Sequence, residues 1–225
     1  MKVKIIGDGK MGTALRQLIS QDPTLTESND ELADVVLDAS HPICLPQTIE
    51  YATKNNCPVI IATTNYNTTE LAKIKQLAQK VPVLKAANFS LGVAVLNHLV
   101  KEASKYLQDG FDIEIVEKHH NQKIDAPSGT AKALFASLNT EQKYHMVTHR
   151  EGKREADEVG VVSLRGGSLK GEHSVYFFGQ DETIELRHEA SSRDIFANGM
   201  LKCAKLMLDK APKLYTINEI LFKEV

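Results

Sequence analysis

Apolar residues in the first ninety positions fall in short unbroken runs, each followed by a stretch where they recur every three or four positions. Val3-Lys4-Ile5-Ile6, Val35-Val36-Leu37-Asp38-Ala39, Pro58–Thr64 and Pro82–Asn88 read as strands, several apolar enough to be buried on both faces. Met11–Gln21 reads as a helix with Met11, Ala14, Leu15 and Leu18 on one face, and Pro23 sits just beyond its end. Thr48–Asn55 and Thr68–Gln79 read as two more helices, the second with Leu71, Ile74, Leu77 and Ala78 on its apolar face. Strands alternating with helices predict right-handed βαβ crossovers and a parallel sheet. Thr24–Asp30 has a weak strand pattern, so the second strand is expected to be short.

The pattern changes near position 90. Ser90–Tyr106 predicts a long helix, with Val93, Leu96, Val100 and Ala103 at helical spacing. Phe111–Val116 alternates, with Phe111, Ile113 and Ile115 on one face. Ala126–Leu138 predicts a helix entered through Pro127. Val159–Arg165, His173–Phe178 and Thr183–Glu189 read as strands; Gly166-Gly167 and Gly179 suit the turns between them. These strands predict an antiparallel meander in a second, α+β unit. Phe196–Leu208 predicts a last helix, followed by a tail around Pro212, and the polar stretch Glu141–Glu158 reads as a mobile loop.

Composition narrows the class. The 225 residues suffice for one large or two small domains. With 42% hydrophobic and 25% charged residues, disorder, collagen and coiled coil are excluded as the main state. A net charge of −2 disfavours a dedicated nucleic-acid binder. Cys44, Cys57 and Cys203 are too few and too far apart for a disulfide framework or a cysteine-rich zinc site. The chain runs from Met1 straight into a strand without a long apolar leader, and no stretch approaches about 18 uncharged apolar residues. The expectation is a cytoplasmic protein without nucleic-acid, membrane or metal partners.

Gly7-Asp8-Gly9-Lys10-Met11-Gly12 is a G-x-G-x-x-G between the first strand and the first helix. Glycines there let the backbone approach a pyrophosphate, which the free N–H groups of the helix terminus then hold. The alternative is a tight turn with no ligand. A ribose-reading carboxylate is expected about 20 residues on, which selects Glu27 or Asp30. No Lys or Arg cluster lies in that stretch to grip a 2′-phosphate, which points toward NAD. Ala39-Ser40-His41, Ala62-Thr63-Thr64 and Ala86-Ala87-Asn88-Phe89 end the other strands, where ligands gather in open α/β sheets.

The sharpest segment runs from Glu117-Lys118-His119-His120 through Lys123 to Asp125-Ala126-Pro127-Ser128-Gly129-Thr130-Ala131. Its second half offers N–H groups and hydroxyls to an anion at a helix start. Its first half supplies two imidazoles and an ammonium that can move protons near neutral pH. Together they suggest a small acidic substrate protonated as it reacts; the alternative is a polar loop capping a helix.

That run closely resembles the signature of the 4-hydroxy-tetrahydrodipicolinate reductase (dihydrodipicolinate reductase) family. Ala86–Ser90, Arg165-Gly166-Gly167, Gly171-Glu172-His173, Ala190–Arg193 and Phe196–Gly199 extend the resemblance, in the family's order, over nearly the whole chain. The resemblance implies an α/β fold, a Rossmann-type parallel sheet plus an α+β substrate domain with a mixed, largely antiparallel sheet. It implies a dinucleotide-binding domain of residues 1–89 with 194–225, and a substrate and oligomerisation domain of residues 90–193. It implies a homotetramer assembled through the second sheet, and closure of the two domains over substrate. The implied activity transfers hydride from NADH and/or NADPH to a cyclic dicarboxylate, with loss of water. His119 would be the proton donor/acceptor and Lys123 a proton donor. His120, Gly129 and Thr130 would hold the substrate. Gly7, Asp8, Gly9, Lys10, Met11, Gly12, Glu27, Ala62–Thr64, Ala86–Phe89 and Arg193 would hold the cofactor. Departures from the family pattern are a glycine loop one residue shorter than in many members, Ala62 in place of a common glycine, His41, and the truncated second-strand region. Another Rossmann dehydrogenase, or a nucleotide-sensing module without catalysis, would share the glycine loop but not the His-His-x-x-Lys stretch.

Overall fold

The computed structural model describes residues 1–28 and 32–222 and divides the chain into two compact units. The first comprises Met1–Leu91 with the segment from Asp194 onward; the second comprises Gly92–Arg193.

In the first unit the strands are β1 (Lys2–Ile6), β2 (Thr26–Glu27), β3 (Val35–Asp38), β4 (Val59–Ile61), β5 (Val83–Lys85) and β11 (Leu214–Tyr215). They form one sheet in the order β11-β5-β4-β3-β1-β2, and every pairing is parallel. Its helices are α1 (Lys10–Gln21), α2 (Leu45–Asn55), α3 (Thr68–Leu77), α6 (Asp194–Met207) and α7 (Ile217–Leu221). The apolar strands still alternate: Val3, Ile5, Val35, Leu37, Ile60 and Leu84 pack with Leu15, Ile19, Met200 and Met207 from α1 and α6. Ile6, Val36, Val59, Ile61 and Val83 pack on Leu45, Ala52, Ile74 and Leu77 from α2 and α3. Two cores, one per sheet face, explain why β4 and the first three residues of β3 are apolar at every position. The weak strand pattern at Thr24–Asp30 yields only the two residues of β2; Asp30 lies outside the described residues.

In the second unit α4 (Leu91–Leu107) precedes β6 (Asp112–His119), α5 (Gly129–Leu138), β7 (His145–Val147), β8 (Glu158–Arg165), β9 (Glu172–Phe178) and β10 (Thr183–Glu189). The strand order is β10-β9-β6-β8-β7. This corrects the expected meander. β8 does not pair with β9; β6 lies between them, parallel to β8 and antiparallel to β9. A parallel β6–β8 pair needs a crossover, which α5 and β7 supply. The expected loop at Glu141–Glu158 contains β7, parallel to β8, and Arg150 and Arg154, which pair with Glu114, Glu158 and Asp112. The helix expected from Ala126 starts instead at Gly129. Ser128 is its extended N-cap, accepting the Ala131 N–H on its hydroxyl, so Pro127 precedes the cap.

Leu96, Val100, Leu134 and Leu138 from α4 and α5 cover one face of this sheet, against Ile113, Ile115, Val159, Val161, Val175 and Phe177. Val162, Leu164 and Phe178 are exposed. Among the described residues no helix is long and apolar enough to cross a membrane.

Candidate active site

The alternation of β6 runs past the core. Ile113, Ile115, Glu117 and His119 occupy successive buried positions, so the face that fills the core ends in a carboxylate and an imidazole. Glu117 is fully buried and accepts four hydrogen bonds. Arg165 at the end of β8 gives two, Nη1 to Oε2 at 2.8 Å and Nη2 to Oε1 at 2.6 Å. His119 Nδ1 lies 2.5 Å from Oε2, and the Ser128 N–H reaches Oε1 at 3.2 Å. Burial alone would raise the Glu117 pKa. The hydrogen bonds from His119 and Arg165 outweigh it and hold the carboxyl well below its usual range. An ionised carboxylate only accepts, so the proton of a neutral His119 is assigned to Nδ1 and Nε2 is its working nitrogen. Gly171, at φ +143°, lies beside that nitrogen; an added Cβ would be strained and 3.1 Å from Nε2.

His173 stands behind His119, with ring centroids 5.1 Å apart edge to face. Its Nε2 is 3.1 Å from Ser128 Oγ, while Nδ1 is buried without a partner. Burial, and after it the charge of His119, lower the His173 pKa to about 4, so the ring is neutral at pH 7. Ser128 joins the pieces: its N–H binds Glu117, its hydroxyl meets His173 and caps α5. The next two residues, Gly129 and Thr130, begin that helix, and nothing lies within 4 Å of a Cβ added at Gly129.

Lys123 Nζ pairs with Asp125 Oδ1 at 2.7 Å, and Arg165 Nη2 also bonds the Asp125 carbonyl. His120 Nε2 is 3.4 Å from Arg193 Nη2. Its pKa is lowered by desolvation first, then by Arg193, His119, Lys123 and Lys170. This neighbourhood is therefore cationic and suits a negatively charged ligand. Arg193, expected at the cofactor, is brought against a residue of the substrate group. Glu117, Arg165 and His173 were not singled out from sequence as functional; the signal for Glu117 was a carboxylate on the apolar parity of β6.

In the first unit the glycine loop has the form a dinucleotide needs. Gly7 has φ +120°, and a Cβ there would meet the Ala39 carbonyl oxygen at 2.4 Å. A Cβ at Gly12 would meet the Gly7 oxygen at 2.0 Å, whereas one at Gly9 would meet nothing within 4 Å. Gly9 is the N-cap of α1 and offers no side-chain cap, so Lys10, Met11 and Gly12 open the helix with N–H groups turned to the loop. A cleft of about 490 Å³ is lined by Gly7, Asp8, Gly9, Ala39, Ser40 and His41, among others. These features fit a bound pyrophosphate. Glu27, at the end of β2, accepts from Arg16 Nε at 2.9 Å, a partner that sequence reading missed because Arg16 lies on α1.

The strand ends sit as expected, but several side chains there are already engaged. Asp38 is fully buried and accepts from the hydroxyls of Ser40, Thr48 and Thr63 at 2.6–2.7 Å, so the Thr63 hydroxyl serves the frame. Asn88 Oδ1 accepts the Ser90 N–H, and Phe89 is a core residue. Ala62, Thr64, Ala86 and Ala87 follow β4 and β5 with small or exposed side chains.

Residues 23–89 match the family described as dihydrodipicolinate reductase, N-terminus, and residues 92–221 match dihydrodipicolinate reductase, C-terminus. The chain is 42% identical to 4-hydroxy-tetrahydrodipicolinate reductase of Brachyspira hyodysenteriae, covering 98% of this chain and all of that one. It is 39% identical to the protein of the same name from Caldanaerobacter subterraneus, covering 96% of each. A dipicolinate-bound dihydrodipicolinate reductase from Paenisporosarcina superposes with a TM-score of 0.81 at 22% identity over 99% of both chains, which shows a shared fold.

Proposed function

The chain belongs to the dihydrodipicolinate reductase family, and from that membership we propose how its own residues perform the reduction. The activity is that of a 4-hydroxy-tetrahydrodipicolinate reductase, an NAD(P)H-dependent oxidoreductase of the diaminopimelate route to lysine. When bound, the nicotinamide supplies the hydride; Gly7, Asp8, Gly9, Lys10, Met11, Gly12 and Glu27 are assigned to holding the dinucleotide. Ala62, Thr64, Ala86 and Ala87 line its crevice, and Thr63, Asn88 and Phe89 shape that crevice from behind.

The N–H groups and hydroxyl of Gly129 and Thr130 take one substrate carboxylate at the start of α5. His120, Lys123 and Arg193 offset the remaining charge. As a dianion approaches, Lys123 is drawn from Asp125 toward substrate and can donate a proton. His119, with one proton held at Nδ1, takes up and returns a second at Nε2, and the negative Glu117 behind Nδ1 stabilises the imidazolium that forms. Arg165 keeps Glu117 ionised, so Glu117 orients and does not itself exchange the proton.

The observation that carries this reading is the buried Glu117–His119 pair, tied through Ser128 to the helix start that receives the anion. The exposed Val162, Leu164 and Phe178 on the open sheet face support a homotetramer formed through that sheet. The expected location is the cytoplasm. The test is a coupled assay in which pyruvate and aspartate semialdehyde are condensed by the upstream synthase. Adding this protein should oxidise NADH or NADPH only when the condensation product is present. No oxidation of either would reject the assignment.

A further inference from the structure

Arg16 is the cation at the ribose end of the glycine loop. Its guanidinium reaches over Gly12, four residues earlier on α1, where a Cβ would sit 3.4 Å from Nη1. From there Nη1 bonds the Gly7 carbonyl at 3.3 Å, Nε bonds Glu27 Oε1 at 2.9 Å, and Nη2 lies 3.1 Å from Asp8 Oδ1. Its side chain is 35% exposed and that of Glu27 28%, whereas Asp8 is 93% exposed.

These contacts put opposite charges where a dinucleotide's adenosine ribose is read. A carboxylate after the second strand accepts the ribose hydroxyls and repels a 2′-phosphate. Here the same carboxylate is neutralised by a guanidinium, whose planar fork of five N–H donors can grip two oxygens of a phosphate at once. Asp8, almost wholly in solvent, occupies one edge of that guanidinium and can turn away from it at little cost. Resting on the dinucleotide reading above, we infer that Arg16 determines tolerance of the 2′-phosphate. With NADH the Arg16–Glu27 pair stays closed and Glu27 takes the ribose hydroxyl. With NADPH the phosphate replaces Asp8 at the exposed edge of Arg16, and Arg16 screens Glu27 from it. The site therefore accepts both dinucleotides, and the residue that admits NADPH comes from α1 rather than from the stretch after β2.

The test is direct binding of NADH and NADPH, by fluorescence titration of the full chain without substrate. The readout is the ratio of the two dissociation constants, Kd(NADPH)/Kd(NADH). Arg16→Gln should raise this ratio at least about tenfold, the scale of one lost charge-assisted phosphate contact. Glu27→Gln should lower it, because repulsion is removed while Arg16 is left to the phosphate. Opposite movements are not produced by a merely structural pair, whose loss weakens both dinucleotides alike. An unchanged ratio in Arg16→Gln with both dinucleotides still bound would overturn this inference alone, as would a fall in that variant or a rise in Glu27→Gln. Failure of the unaltered protein to bind either dinucleotide would overturn the function as well.

Discussion

Asp38 and Glu117 are both fully buried carboxylates near the carboxyl end of a strand, one in each unit, and they are held in opposite ways. Three hydroxyls and the Ser40 N–H surround Asp38. Glu117 faces a guanidinium, an imidazole and the N–H of a helix cap. A hydroxyl can donate or accept, so a neutral cage adapts to whatever it encloses. Arginine only donates, so its cage demands a negative charge. The first arrangement fixes the ends of β3, β4 and α2 as a frame, whereas the second sets a charge against an imidazole.

The substitution with the largest expected effect separates the two cages. Glu117→Gln turns an amide N–H₂ toward Arg165 and should cost on the order of 3 kcal/mol in urea unfolding. Asp38→Asn should cost about 1 kcal/mol, because Thr48 or Thr63 can rotate to accept from the new amide. Equal costs would erase the distinction. Next, Lys123→Ala should lower kcat by roughly 10²-fold while shifting Tm little, since it removes the proposed proton donor and a surface pair rather than packing; near-normal turnover would remove Lys123 from the proposed mechanism.

Acid titration sharpens the contrast further. His173 has a folded pKa of about 4 against an ordinary 6.5. The unfolded chain therefore binds a proton that the native protein refuses as pH falls through that window, and stability declines there. Glu117 is depressed from 4.5, so its contribution is complete above that pH and is lost below it. Unfolding measured against pH should flatten between 6.5 and 4 in His173→Asn, and below about 4.5 in Glu117→Gln. An unchanged slope in either variant would mean the group is solvated in the native state. The smallest stability effect belongs to the glycine loop. Gly9→Ala should move stability by less than about 0.5 kcal/mol yet weaken dinucleotide binding, because its Cβ meets only open space in the protein. Gly12→Ala, which drives a Cβ into the Gly7 carbonyl, should impair both.

Local pattern carried the first unit well, since each apolar run and each helical repeat there reports on its own element. Pairing in the second unit is non-local. The runs at Val159–Arg165 and His173–Phe178 name two strands but not the strand that separates them, so a meander and a mixed sheet look alike. The start of α5 was misplaced because Pro127 and Ser128 are both good helix openers, and only the Ser128 hydrogen bond to Ala131 decides between them. In the site, His119, Lys123 and Gly129 were visible as chemistry packed into one segment. Arg165 and His173 come from other strands, and Arg16 from a helix whose sequence shows an ordinary surface arginine; each acquires its role only through a partner distant in the chain.

β6 is hydrogen-bonded along both edges, and a single parity of its side chains runs from Ile113 to His119. A slip of one residue would aim Val116 and Lys118 where Glu117 and His119 belong, and would also expel both isoleucines from the interior. The second unit therefore has no cheap way to be folded yet disarmed. Whatever assembles the hydrophobic half of this strand has already set its imidazole in place, so the placing of Glu117 and His119 and the collapse of the core are one event.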